Sequence, residues 1–319
     1  LPGIIFLLCT DTIANLKGPI STLCFSQTDD LLLVGYESGL LELWQHNSVV
    51  DHKQVSDGPI TAACSMPDSQ FAVTNMNTLV VDVWKLVWNQ QCSKASLVKV
   101  KSYKVKTTMV RLVYCSLLVG VTFQGDLCDV ANVVMDEWGN TNTSWNQSVS
   151  ILSVVRNDNK SVWLTGEKND EVHIGFFFGM GSNAPINSSF SSITMNSGDN
   201  EQENKKRSLI TAITVDQEFV VCGDEEGNIW FNQHPDISSW SEKKPAHLDR
   251  ISELRFTDRN IISASYDRTL KLWDRNTKKQ VGMFVCGGPV LFLEVNPRKP
   301  SELVCADGQG KLYSLCWKD

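Results

Sequence analysis

The chain is 319 residues long, 42% hydrophobic and 20% charged, with a formal net charge of −7 at pH 7. That length buries a large core, as one large domain or two smaller ones. The acidic balance argues against sequence-independent nucleic-acid binding, whose affinity comes from clustered positive charge, and no apolar run approaches the ~20 residues of a bilayer-crossing helix.

The ten cysteines include no CxxC pair, and Cys24, Cys64, Cys115, Cys222, Cys305 and Cys316 sit inside apolar strand patterns. Such thiols behave as small buried hydrophobes, which points to a cytoplasmic or nuclear protein rather than a disulfide framework. Sequons at Asn142, Asn146, Asn159 and Asn187 fall in polar stretches where such triplets arise by chance. The opening run Leu1–Cys9 is apolar, without a basic n-region or an initiator Met, so the chain reads as a piece of a longer protein, with residues 1–9 shared with whatever precedes them.

From there a pattern of turn, alternating strand and closing aromatic or apolar residue recurs. It appears as Gly39–Trp44, Thr78–Trp84, Gly125–Val130, Asp170–Gly175, Gly227–Asn232, Arg268–Trp273 and Gly310–Leu315. All intervals but one lie close to the roughly 40 to 45 residues of a four-stranded unit, which predicts seven units. Upstream of most lie two further strand patterns: Ile20–Phe25 and Leu31–Tyr36 in the first, Ile60–Ser65 and Phe71–Thr74 in the second, Val290–Val295 and Leu303–Ala306 in the last. In the third and fourth units, Met109–Tyr114 with Leu117–Val121 and Val149–Val155 with Val162–Thr165 keep the alternation without polar marks.

A fourth, outer strand is expected at Val49–Val55 and at Leu97–Val105, the latter with Lys99 and Lys101 on one face and Val98 and Val100 on the other. The one long interval holds an insertion rich in Ser, Asn and charge. Phe190–Met195 is its candidate outer strand, and residues 196–207 read as a mobile loop. The last unit runs out of chain before its outer strand, which Ile4–Cys9 or Thr12–Leu16 can supply.

The most informative stretch is His247–Asp274, with three strand patterns and two polar turns ending in Trp273-Asp274. His before the first strand, Ser on the second, Asp in the following turn and Trp on the third can form one buried hydrogen-bonded chain. The stretch resembles a WD40 repeat. That resemblance implies an all-β, seven-bladed β-propeller of WD40 type with four antiparallel strands per blade, a single domain over residues 1–319 closed by the N-terminal strand. It also implies a structural tetrad of His247, Asp267, Ser263 or Ser265, and Trp273.

No catalytic constellation emerges: His46, His52, His173, His234 and His247 are scattered, and no nucleophile elbow or phosphate-binding loop occurs. The expectation is a non-enzymatic chain without cofactor or metal. Trp44 and Trp84, each without a following Asp, read as core. The basic set Lys94, Lys99, Lys101, Lys104 and Lys106 reads as the solvated face of an outer strand, and Lys205–Arg207 as the close of an acidic loop. The acidic turns Asp29-Asp30 and Asp224–Glu226 read as solvated. The loops before each first strand and after each second strand would present Lys17, Tyr36, Asp57, Arg250, Tyr266 and Arg268 as a partner-binding face, with Tyr and Arg as anchors.

The functional expectation is a rigid platform for other proteins within a larger multidomain protein. The divergent repeats and the final LVCADGQGKLYSL are similar to the apoptotic protease-activating family. That resemblance implies an apoptosome scaffold controlling caspase activation, with a neighbouring propeller, a nucleotide-binding region in the parent chain, and cytochrome c as ligand. The alternatives are a substrate receptor or assembly scaffold of a ubiquitin ligase, and an RNA-binding propeller.

Overall fold

Period-two alternation and β-branched residues make strands of these runs. The computed structural model describes residues 7–13, 17–89, 94–114, 118–122, 127–130, 150–157, 161–168, 171–178, 187–191, 208–216, 218–233 and 242–317. Among them all regular structure is β, and no helix is long and apolar enough to cross a membrane.

β1 (Leu7–Ile13) stands before the first sheet, which is formed by β2 (Ile20–Phe25), β3 (Leu31–Tyr36), β4 (Leu40–Gln45) and β5 (Ser48–Gln54). The second sheet holds β6 (Ile60–Met66), β7 (Gln70–Asn75), β8 (Val80–Asn89) and β9 (Lys94–Lys104). The third shows three strands among the described residues, β10 (Met109–Tyr114), β11 (Leu118–Thr122) and β12 (Leu127–Asp129). The fourth comprises β13 (Ser150–Asn157), β14 (Ser161–Lys168), β15 (Glu171–Phe178) and β16 (Asn187–Ser191). The fifth comprises β17 (Ile210–Val215), β18 (Phe219–Asp224), β19 (Asn228–Gln233) and β20 (Glu242–Pro245). The sixth comprises β21 (Ile251–Phe256), β22 (Asn260–Ser265), β23 (Thr269–Asp274) and β24 (Gln280–Val285). In the seventh, β25 (Val290–Val295), β26 (Glu302–Asp307) and β27 (Leu312–Trp317) are joined by β1, which pairs antiparallel with β27 from Leu7↔Trp317 to Ile13↔Leu312.

Three outer strands depart from the sequence reading. β1 straddles both candidate N-terminal segments, because β27 rather than local apolarity selects the residues that pair. The outer strand of the fourth sheet is Asn187–Ser191, not Phe190–Met195; residues 196–207 lie outside the described residues. In β9 the register shifts so that Val83 faces Lys101 and Trp84 faces Lys99, leaving Val100 as the extra residue. The expected alternation is therefore broken, and Val98 and Val100 are exposed along with the lysines.

Each sheet's first strand carries a register shift near its start, directly after the first residue in six sheets and one residue later in β13: between Ile20 and Thr22, Ile60 and Ala62, Met109 and Arg111, Ile151 and Ser153, Ile210 and Ala212, Ile251 and Glu253, and Val290 and Phe292. A bulge increases local twist and re-aims one side chain. At three of these bulges the re-aimed group is a hydroxyl that donates to the first residue of the next sheet: Thr61 to the Met109 carbonyl (2.7 Å), Thr211 to Ile251 (2.5 Å) and Ser252 to Val290 (2.7 Å).

The core lies between sheets. One apolar cluster joins Leu31, Leu33 and Leu43 of the first sheet to Phe71, Trp84 and Leu97 of the second. Others join the second to the third through Ala72, Val81, Met109 and Leu118, the fifth to the sixth through Val221, Phe231, Leu254 and Trp273, and the sixth to the seventh through Ile262, Leu272, Leu293 and Leu315. A further cluster joins the seventh sheet to the first, with Val304, Ala306 and Leu312 against Leu23, Val34 and Trp44. First strands touch in the order β2, β6, β10, β13, β17, β21, β25, and β25 touches β2 again.

Candidate functional site

In the sixth sheet the hairpin of β22 and β23 brings together residues that are 26 positions apart at their extremes. Trp273 Nε1 donates to Ser263 Oγ at 2.9 Å, and Ser263 Oγ lies 2.7 Å from His247 Nε2. His247 Nδ1 lies 3.0 Å from Asp267 Oδ2 and 2.9 Å from Thr269 Oγ1. The donors settle the tautomer. Because the carboxylate can only accept, Nδ1 carries the proton and Nε2 accepts from the Ser263 hydroxyl, which leaves Ser263 Oγ free to accept from the indole. Every member is satisfied.

Burial pushes His247 down to about 4 against the opposing pull of Asp267, so the imidazole is neutral at pH 7. For Asp267, burial alone would raise the pKa, but hydrogen bonds from Thr269 and from the Leu248 N–H hold the carboxylate below its ordinary value. Of the two candidate serines, Ser263 is in this chain and Ser265 is not. Ser265 Oγ instead donates to the Asp249 carbonyl at 2.9 Å and accepts from the Asp267 N–H.

Three other sheets reach the same end with different residues. Tyr36 O–H donates to Glu42 at 2.7 Å, Trp230 Nε1 to Asp224 at 2.8 Å, and Tyr313 O–H to Asp307 at 2.8 Å. Each pair spans six residues across the turn between the second and third strands. In the first sheet the aromatic is on the second strand and the carboxylate on the third; in the fifth and seventh the two are exchanged. Sequence reading tuned to His, Asp and Trp passed over these pairs, although the six-residue spacing of an aromatic donor and a carboxylate was there to be found.

Tyr36 is therefore not a rim residue, as the sequence reading had it. It is 0% exposed, and burial with the Glu42 carboxylate raises its hydroxyl pKa far above the usual range. Asp224 is likewise buried, not solvated. Trp44 and Trp84 are both core residues, Trp44 with its indole nitrogen 3.2 Å from Glu42.

The remaining candidates sit at one end of the sheets. Lys17 and Asp57 are exposed in the connections that lead into β2 and β6. Arg250, in the connection into β21, lies over the Tyr266 ring at 5.0 Å, and the Tyr266 N–H donates to the Arg250 carbonyl. Arg268 is exposed in the adjoining turn, at φ 70°.

Of the basic set, Lys99 pairs with Asp82 at 2.8 Å and Lys101 lies over Tyr103 at 4.3 Å. Among the described residues no group of three or more His, Cys, Asp or Glu could hold a metal. Residues of the first strands β2, β6, β10, β21 and β25 line an open cavity of ≈ 600 Å³, in which Arg255 reaches Glu253 (2.6 Å) and Glu294 (3.3 Å).

Four-stranded antiparallel sheets that pack face to face through apolar clusters, one of them carrying the His–Ser–Trp chain, define a WD40-like β-propeller. Residues 247–317 match the family described as the TEP-1 C-terminal beta-propeller. The chain is also similar to telomerase protein component 1 of Rattus norvegicus and of Mus musculus, 39% identical to each over 77 residues. That match covers 24% of this chain and 3% of each relative, so the chain corresponds to a small part of far longer proteins.

Proposed function

We propose that the chain is a single closed, seven-bladed WD40-type propeller over residues 1–319, which works without catalysis as a rigid platform for binding other proteins within a larger multidomain protein in the cytoplasm or nucleus. Closure is supported by the pairing of β1 with β27 and by the contact of β25 with β2. The observation that carries the platform reading is the clamping of the rim. Buried carboxylates anchor the turns: Asp224 accepts from the Glu226 and Asn228 N–H groups, Asp267 from Leu248 and Thr269, and Asp307 from Gly288, Gln309 and Lys311. Loops held this way lose little freedom when a partner docks.

The relatives are named as a protein component of telomerase, which supports a role as one part of an assembly. An apoptosome scaffold answering to cytochrome c is the narrower version of this reading and rests on the resemblance of the divergent repeats and the final repeat to the apoptotic protease-activating family. A ubiquitin-ligase substrate receptor would use Arg250 and Arg268. An RNA-binding propeller has against it the acidic total and the engagement of Lys99 and Lys101 within the second sheet.

Chemical cross-linking of the full-length parent in cells, read by mass spectrometry, tests the platform. Cross-links from lysines of residues 1–319 to other proteins are expected. Cross-links confined to the chain itself, or recovery of RNA in place of protein, would overturn it.

A further inference from the structure

In three sheets the last residue of the turn before the third strand is a glycine in the left-handed region: Gly39 at φ +79°, Gly227 at +84° and Gly310 at +74°. Each donates its N–H back to the last residue of the second strand, to Tyr36, Asp224 and Asp307 in turn. The sixth sheet has the same hydrogen bond, from the Arg268 N–H to the Ser265 carbonyl, and nearly the same dihedral, φ 70°, but the residue is arginine. A β-carbon is disfavoured there, so the sheet carries backbone strain that glycine would remove.

What the strain secures is a guanidinium on the rim. Arg268 has no carboxylate partner among the described residues, and neither has Arg250, which only stacks on Tyr266. By contrast Arg255 holds two carboxylates, and so does Arg275, with Asp216 at 2.7 Å and Glu218 at 2.9 Å. Beside the two unpaired arginines stands Leu248, 95% exposed, its backbone N–H fixed by Asp267 at 3.0 Å. An exposed apolar side chain on a backbone tied down by Asp267, next to two unpaired guanidinia, has the makeup of an interface anchor.

We infer that Leu248, Arg250 and Arg268 form a recognition edge for an acidic peptide segment in which an apolar side chain is flanked by Asp or Glu. This rests on the platform reading and adds to it the face and the partner's chemistry. Guanidinia take carboxylates in two parallel hydrogen bonds. A phosphorylated residue fits less well, since it concentrates a near-double charge at one tetrahedral group beside Asp249, whereas flanking planar carboxylates divide their charge between the two guanidinium forks.

The test uses the whole chain and fluorescent peptides: one with a leucine between glutamate pairs, one with lysines for the glutamates, one with serine for the leucine, and one with phosphoserines for the glutamates. The first should bind, with affinity falling as salt rises. Leu248→Ser, and Arg250→Gln combined with Arg268→Gly, should each weaken it at least tenfold; these variants should melt no lower than the parent, since Leu248 is exposed and glycine suits the turn. Undiminished binding by the variants, equal binding of the lysine or serine peptide, tighter binding of the phosphopeptide, or no binding at all would overturn the assignment. If the peptide result fails while the cross-links of the full-length parent persist, the edge is wrong and the platform stands. If the cross-links are also absent, both fall.

Discussion

The sixth and second sheets solve the same packing problem with opposite outcomes for their tryptophans. Trp273 and Trp84 occupy equivalent places on third strands, 5% and 8% exposed, each packed against the neighbouring sheet. The Trp273 indole has Ser263, backed by His247 and Asp267. The Trp84 indole N–H is buried without a partner. The first sheet shows what is missing: there Glu42, two residues before Trp44, accepts from both Tyr36 and the indole. The second sheet has Asp82 at that place, one methylene shorter, and its carboxylate is turned to Lys99 (2.8 Å) and Ser102 (2.6 Å). Apolar stacking thus holds a sheet whether or not its polar chain is complete, and the turn above the incomplete one is still clamped, by Asn75 Oδ1 accepting from the Asn77 and Thr78 N–H groups.

The largest test of this contrast removes the two rings. Trp273→Ala should cost roughly 3 to 5 kcal/mol, because it opens a cavity and also strands Ser263. Trp84→Ala opens a similar cavity but breaks no hydrogen bond, so it should cost about 1 kcal/mol less. Chemical denaturation of the two variants side by side measures the gap, and equal losses would show that the Trp273 hydrogen bond contributes nothing.

Acidification comes next. His247 titrates near 4 when folded and near 6.5 when unfolded, so between those values the unfolded chain binds more protons. Its contribution is complete above pH 6.5 and is lost as the pH falls toward 4, by roughly 2 to 3 kcal/mol. The contribution of Asp267, held low, is complete above the ordinary carboxylate range and is lost only as the pH falls below it, so it does not blur that window. Denaturation midpoints between pH 7 and 4.5 should fall in the parent and fall less in His247→Gln. Parallel curves would locate the pH dependence elsewhere.

The smallest effect sharpens the comparison by repairing the weaker sheet. Asp82→Glu lengthens the carboxylate to match Glu42, and should gain about 1 kcal/mol by giving the Trp84 indole an acceptor. A loss would mean that the contacts to Lys99 and Ser102 outweigh the orphaned N–H.

Much of this was legible in the chain. Spacing located a third strand in every sheet, and His247, Asp267 and Trp273 marked one complete polar chain, because both signals are short-range: alternation has period two and a hairpin joins neighbours. Tyr36 was misread for the complementary reason. A tyrosine at a strand end beside a polar turn reads as exposed, and only its position relative to Glu42 and Trp44 shows that the side chain is enclosed. The pairs Asp224–Trp230 and Asp307–Tyr313 escaped notice because one hydrogen bond can be made by many combinations of residues.

By itself the sequence determined where strands begin and turn, which faces are apolar, and that the sixth unit holds a buried His–Asp–Trp set, since these follow from residue type and nearest neighbours. Tertiary structure alone decided which serine completes that set, which segment pairs with β27, and that Arg268 stands strained and unpaired beside Leu248. Those outcomes depend on which groups are left without partners once the sheets have packed, and partners distant in the chain supply or withhold them.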